Sequence, residues 1–128
     1  MTVRLSSPIS SGSAAGSSGS ATSNGNSETS LVGRVIGIYV KYNDACPVTT
    51  TVTVRTVGTS PSAPTYDILK LSAANTDGWF YPVMQCYDTA GMLLVGAYKD
   101  VVVSDTVNIL IENANAGDSA DVYLMLEY

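Results

Sequence analysis

From Leu31 to the end of the chain, no stretch longer than ten residues keeps an apolar period of 3.6 with helix caps. What repeats instead is a short β-rich run closed by turn residues. "LVGRVIGIYVKYN" reads as a long strand with Val32, Ile36, Ile38, Val40 and Tyr42 on one face. Gly33 and Gly37 fall on the other face, where another backbone comes close. "NDACP" turns the chain into "TTTVTVRTV", which alternates strictly: Val52 and Val54 inward, Thr51, Thr53 and Arg55 outward. After the Pro-containing loop "GTSPSAPT" come the strand "YDILKLS" and a tight turn "AANTDG", in which Gly78 supplies a positive φ.

"WFYPVMQCY" follows, with Trp79, Tyr81, Val83, Gln85 and Tyr87 on one face and Phe80, Met84 and Cys86 on the other. Pro82 cannot donate to a ladder, so this strand lies at an edge or bulges there. "DTAG" makes a hairpin turn into "MLLVGAY", and "KDVVVSD" and "TVNILIENA" add two strands, with Val107, Ile109 and Ile111 inward. "VYLMLEY" closes the chain, Val122, Leu124 and Leu126 alternating against Tyr123, Met125 and Glu127. About eight short strands at roughly eight-to-fifteen-residue spacing predict an all-β fold, a single jelly-roll or β-sandwich of antiparallel strands over residues 31–128.

Residues 1–30 have a different character. "SSPISSGSAAGSSGSATSNGNSETS" is almost wholly small and polar and too poor in apolar surface to offset its conformational entropy. It is expected to be a flexible, extended Ser/Gly-rich arm outside the core. Its large apolar residues Val3, Leu5 and Ile9 are its candidate points of attachment.

The chemistry of the chain excludes more than it offers. Without histidine, neither a Ser–His–Asp nor a Cys–His arrangement can be built, and two cysteines are too few for zinc. Cys46 and Cys86 read as two half-buried thiols rather than a disulfide. Asp44, Asp77, Asp88, Asp105, Asp118 and Asp121 all sit in or beside turns, where their carboxylates bond to local amides, so paired-carboxylate hydrolysis is disfavoured. "NAGDSAD" lacks the pattern of a calcium loop, and no cofactor or metal is expected. A net charge of −5 with six Lys and Arg argues against nucleic acid, and no run is long enough for a membrane helix. "MTVRLSSPIS" also lacks the apolar core of a secretory signal.

What remains is adhesion. Charged residues make up only 13% of the chain, which suits a surface packed against other molecules. "NTDGWFYP" crowds the single Trp, the single Phe, a Tyr and a Pro behind a turn. Trp79 and Phe80 point to opposite faces, so one ring fills the core and the other meets a loop, the arm or another chain. Trp79, Phe80, Tyr81 and Tyr87 are therefore candidate contacts with another subunit.

Over residues 33–128 the phrases "GRVIGIYVKYND", "YDILKLSAANTDGWFYPVMQCYDTAG" and "VNILIENANAGDSADVYLMLEY" resemble small decoration, or cement, proteins of tailed-bacteriophage virions. The resemblance implies a non-enzymatic sandwich or jelly-roll that sits on the outer capsid surface as a homotrimer and bridges subunits of the major capsid protein. It would be assembled in the host cytoplasm, with the N-terminal arm as a tether. A receptor- or carbohydrate-binding tip domain of a phage tail or fibre, with Trp79, Tyr81 and Tyr87 as its platform, is the alternative.

Overall fold

The computed structural model describes residues 2–58 and 65–128. Most of the "GTSPSAPT" loop lies outside the described residues. The strands are β1 (Val3–Leu5), β2 (Ile9–Ser10), β3 (Ala21–Asn26), β4 (Leu31–Tyr42), β5 (Thr51–Thr56), β6 (Asp67–Leu71), β7 (Gly78–Phe80), β8 (Val83–Tyr87), β9 (Leu93–Asp105), β10 (Val107–Ala114) and β11 (Ala120–Glu127). They form two antiparallel sheets. The larger runs β1-β11-β4-β9-β8, with β2 also on β11 and β7 also on β4; the smaller runs β3-β10-β5-β6. The fold is all-β, a sandwich, as the spacing of the strands predicts.

The core follows from alternation. Val122, Leu124 and Leu126 on β11, Val107, Ile109 and Ile111 on β10, and Val52 and Val54 on β5 are all buried, on the parity read from the sequence. β4 departs from it. Met125 pairs with Gly37 while Leu126 pairs with Val35, so Ile36 is an extra residue in the ladder. The bulge inverts the parity: Val35 faces the core before it, and Ile38, Val40 and Tyr42 after it. Val32 is consequently exposed and Ile36 only half-buried, which corrects the single inward face expected for this strand. On β5, Thr51 and Thr53 are buried too, although they alternate with the inward valines.

Residues 2–30 differ most from the sequence reading. Instead of an arm outside the core, they close one side of the sandwich. β1 and β2 extend the large sheet along β11, and β3 extends the small sheet along β10. Ile9, Ala14 and Ala21 are buried in the core. Ile9 pairs with Val122, so it is a core residue and no external contact.

Three serines explain how so polar a segment is held. Ser6 N–H donates to the Leu124 carbonyl (2.8 Å), and Leu124 N–H donates to Ser6 Oγ (2.9 Å). Ser11 repeats both bonds with Ala120, and Ser27 repeats them with Val107. Each hydroxyl accepts the bond that a ladder carbonyl would otherwise take. Gly25 is equally specific, because a Cβ there would stand 2.2 Å from the Ser10 carbonyl oxygen, where β3 meets β2 across the sheets.

The turns before β7 also differ from expectation. Positive φ falls at Ala73 (51°) and not at Gly78. "AANTDG" carries the chain from the small sheet to the large one: Asp77 Oδ1 accepts the Tyr42 N–H (2.8 Å), and Asn75 Nδ2 donates to the Cys46 carbonyl (2.9 Å). Pro82 splits the expected aromatic strand in two, and its halves take different partners, β7 on β4 and β8 on β9. "MLLVGAY" and "KDVVVSD", by contrast, are one continuous strand, β9.

Two outcomes follow. Leu124→Ala removes a fully buried side chain and should cost about 2–5 kcal/mol, read from urea unfolding midpoints. Deleting residues 1–30 should abolish cooperative unfolding, because it uncovers β11 and β10 and removes Ile9, Ala14 and Ala21; an unchanged melting curve would show that the segment is dispensable.

Candidate binding surface

The outer face of the large sheet carries a row of rings built by register. β11 pairs Tyr123 with Tyr39 of β4, and β4 pairs Tyr39 with Trp79 of β7. The side chains of directly opposed residues touch, and the three rings form a continuous ladder. Tyr39 and Trp79 ring centroids are 5.3 Å apart, Tyr39 and Tyr123 6.2 Å, both pairs tilted at 47°. Such tilted contacts suit the ring quadrupoles. One row further, Gly37 stands between Met125 and the rings of Tyr81 and Trp79, and a Cβ on it would meet Tyr81 at 3.3 Å and Trp79 at 3.5 Å. The close approach expected at Gly37 is therefore made by rings. At Gly33 it is made by backbone, the carbonyl oxygen of Glu127.

Leu5 of β1 completes the surface, since Leu5, Tyr39, Lys41, Trp79 and Tyr123 line an open groove of about 280 Å³. Trp79 remains 42% exposed and Tyr81 71% exposed. On the other side of the β4 bulge, Arg34 pairs with Asp100 of β9 (2.8 Å) and with Glu127 of β11. The hydrogen bond that Arg34 donates to Asp100 and the charge of Glu127 raise the Arg34 pKa. This ion pair ties three strands together at the β4 bulge.

The residues singled out from the sequence are distributed as follows. Trp79, Tyr81 and Leu5 come together on this face. Val3, opposite Glu127, shares the parity of Leu5 and is exposed. Phe80 points the other way and packs against the core beside Ile38. Tyr87 is exposed elsewhere, on the β8–β9 hairpin. Tyr39 and Tyr123 were not singled out, although both occupy outward positions in strands whose partners alternate inward. Their signal lay in pairing, which a single strand does not display.

The other polar sites are occupied by structural work. A cup of about 610 Å³ on the outer face of the small sheet is lined by Asn24, Asn26, Arg55, Tyr66 and Asn108, among others. Asn108 Nδ2 donates to Asn24 and Asn26, and its Oδ1 accepts from Arg55 Nε, so the amides clasp three strands together. In "NAGDSAD" the buried Asp118 carboxylate accepts the Asn115 N–H (3.0 Å). No group of His, Cys, Asp and Glu suited to a metal ion occurs among the described residues. Cys46 and Cys86 are free thiols; Cys46 is buried and donates to Asn43 Oδ1 (3.3 Å).

No family model matches the chain, and no curated protein matches it. Among solved structures, "Crystal Structure of FLHE" is similar over 98% of this chain and 93% of that one, at 11% identity and a TM-score of 0.39. That similarity is too distant to carry an argument about this chain.

Beneath the surface, Tyr42 lies in the core with no hydrogen-bond partner for its hydroxyl among the described residues. Burial, then the charges of Cys46 and Asp77, push its pKa up to about 12. The unfolded phenol ionises near 10. Between those values the unfolded state has lost a proton that the folded state keeps, so stability falls as pH rises. Urea midpoints should therefore decline between about pH 10 and pH 12, and Tyr42→Phe should flatten part of that decline. A variant tracking the wild type throughout would refute this assignment.

Proposed function

We propose that this protein is a non-enzymatic structural component of a tailed-phage virion, binding the outer capsid surface and cementing neighbouring subunits of the major capsid protein. The observation that carries the reading is the continuous row Leu5, Tyr123, Tyr39 and Trp79 on an otherwise lightly charged sandwich. Exposed aromatic residues in one patch are the composition of an interface centre. Their setting on paired strands fixes the rings before binding, which lowers the entropy of docking. Many identical copies on a lattice then add avidity to a modest single contact.

The N-terminal segment does not serve as a tether. Residues 2–30 are committed to both sheets, so attachment rests on the folded face.

A second reading, a carbohydrate-binding tip of a tail or fibre, draws on the same groove, because its rings and Lys41 suit a sugar ring with polar substituents. The two separate cleanly. Purified particles incubated with the chain should retain it in stoichiometric amounts, and Trp79→Ala should weaken retention at least tenfold without shifting the melting temperature by more than a few degrees. Retention unaffected by Trp79→Ala, or none at all, overturns the capsid reading; a glycan-array signal lost in the same variant establishes the second.

A further inference from the structure

We propose that β8 is a self-pairing edge, along which two copies of this chain join antiparallel about a two-fold axis centred on Gln85. The two β8–β9 hairpins would then merge into one four-stranded ribbon.

The need for a partner comes from the hairpin itself. β9 pairs with β4 only from Val101 to Asp105; its earlier half pairs with β8, at Tyr98–Asp100 and at Leu93, with an irregularity between that carries Val95. Over that stretch Val83, Met84, Tyr87, Leu93, Val95 and Tyr98 are all exposed, Val95 by 93%. A two-stranded ribbon with both faces in water is marginal, and further strands are what stabilise it.

The edge points to how that need is met. Exposed edges are usually blunted by charge or polar residues. β1 carries Arg4, β6 carries Asp67 and Lys70, and β3 reads "ATSNGN". β8, the last strand of the large sheet, reads "VMQCY" and has no charge. Its outer backbone groups are thus open to another strand.

The occupant is read from the strand's symmetry. An isologous contact requires a surface complementary to itself. Antiparallel pairing about Gln85 sets Val83 against the partner's Tyr87, Met84 against the partner's Cys86, and Gln85 against its own copy. An aliphatic residue opposite an aromatic one is a favourable cross-strand pair. A carboxamide both donates and accepts, so it is its own complement. In a chain of net charge −5, an uncharged edge is also where two copies approach with least repulsion. Of the acids beside the strand, Asp100, opposite Val83, is paired with Arg34, and Asp88 holds the turn with its carboxylate, accepting the N–H groups of Ala90 and Met92 (both 2.9 Å).

This two-fold contact is independent of capsid binding and differs from the three-fold arrangement implied by the resemblance. Sedimentation equilibrium on the full chain should give twice the 13.3 kDa protomer mass. Gln85→Lys and Gln85→Glu, each placing like charges against themselves, should separately weaken dimerisation at least tenfold at low salt. An equimolar mixture of the two should restore it. Far-ultraviolet circular dichroism should be unchanged, because Gln85 is exposed. A monomeric or trimeric wild type, or a mixture that fails to recover, overturns the proposal. Particle retention is read separately and does not enter this result.

Discussion

The ladder between β4 and β11, and the single extra residue within it, organises the molecule. Every strand of the large sheet except β8 pairs with one of these two. The bulge at Ile36 divides β4 into two halves of opposite parity. Before it, β4 pairs with β9 from Leu31 to Val35; after it, the same edge pairs with β7 from Ile38 to Val40. One strand edge thus serves two partners in sequence, and β9 is left to continue with β8 alone. Bulges sharpen local twist and end pairings, and here a bulge creates both external surfaces. It brings Tyr39 to the outer face beside Trp79, and it coincides with the departure of the hairpin.

The polar leader depends on this ladder in a different way. Its apolar contribution is small, yet its backbone is paired on both sheets. Burying Leu124 N–H or Ala120 N–H without a partner would cost about 1–3 kcal/mol each, so the serine hydroxyls of Ser6 and Ser11 remove penalties rather than add hydrophobic gain. Small side chains are what this seam requires. Gly25 meets the Ser10 carbonyl, and Ala14 and Ala21 are buried in the core. Entropy estimates based on composition do not register such contacts, because they count apolar area and not ladder partners.

That contrast defines what the sequence discloses. Strict alternation in "VYLML" reports which residues face the core, since β11 keeps one parity from end to end, and in "TVTV" and "VNILI" it marks the inward valines and isoleucines but not the burial of Thr51, Thr53 and Asn108 between them. It fails in β4, where the inserted Ile36 has no local signature: "GRVIGIYV" alternates plausibly either way. Pro82 signals an edge or a bulge, but not that the strand breaks there and its halves choose different neighbours. Trp79 stood out as the single tryptophan, whereas Tyr39 and Tyr123 are ordinary residues until pairing sets them beside it. The serine pattern was equally hidden, because Ser6, Ser11 and Ser27 are indistinguishable from their neighbours until β10 and β11 select them.

The division of labour between core and surface follows. The interior is filled almost entirely by Val, Ile, Leu and Ala, with Tyr42 the one buried ring among the described residues. β-branched residues pack two pleated sheets densely without needing partners for polar atoms. Most of the aromatic side chains are therefore left to the outside, where a large rigid ring gives contact area at little cost in side-chain entropy. Tyr42 marks the boundary of that rule: its buried hydroxyl has no partner among the described residues, the circumstance that favours aliphatic residues everywhere else in this core.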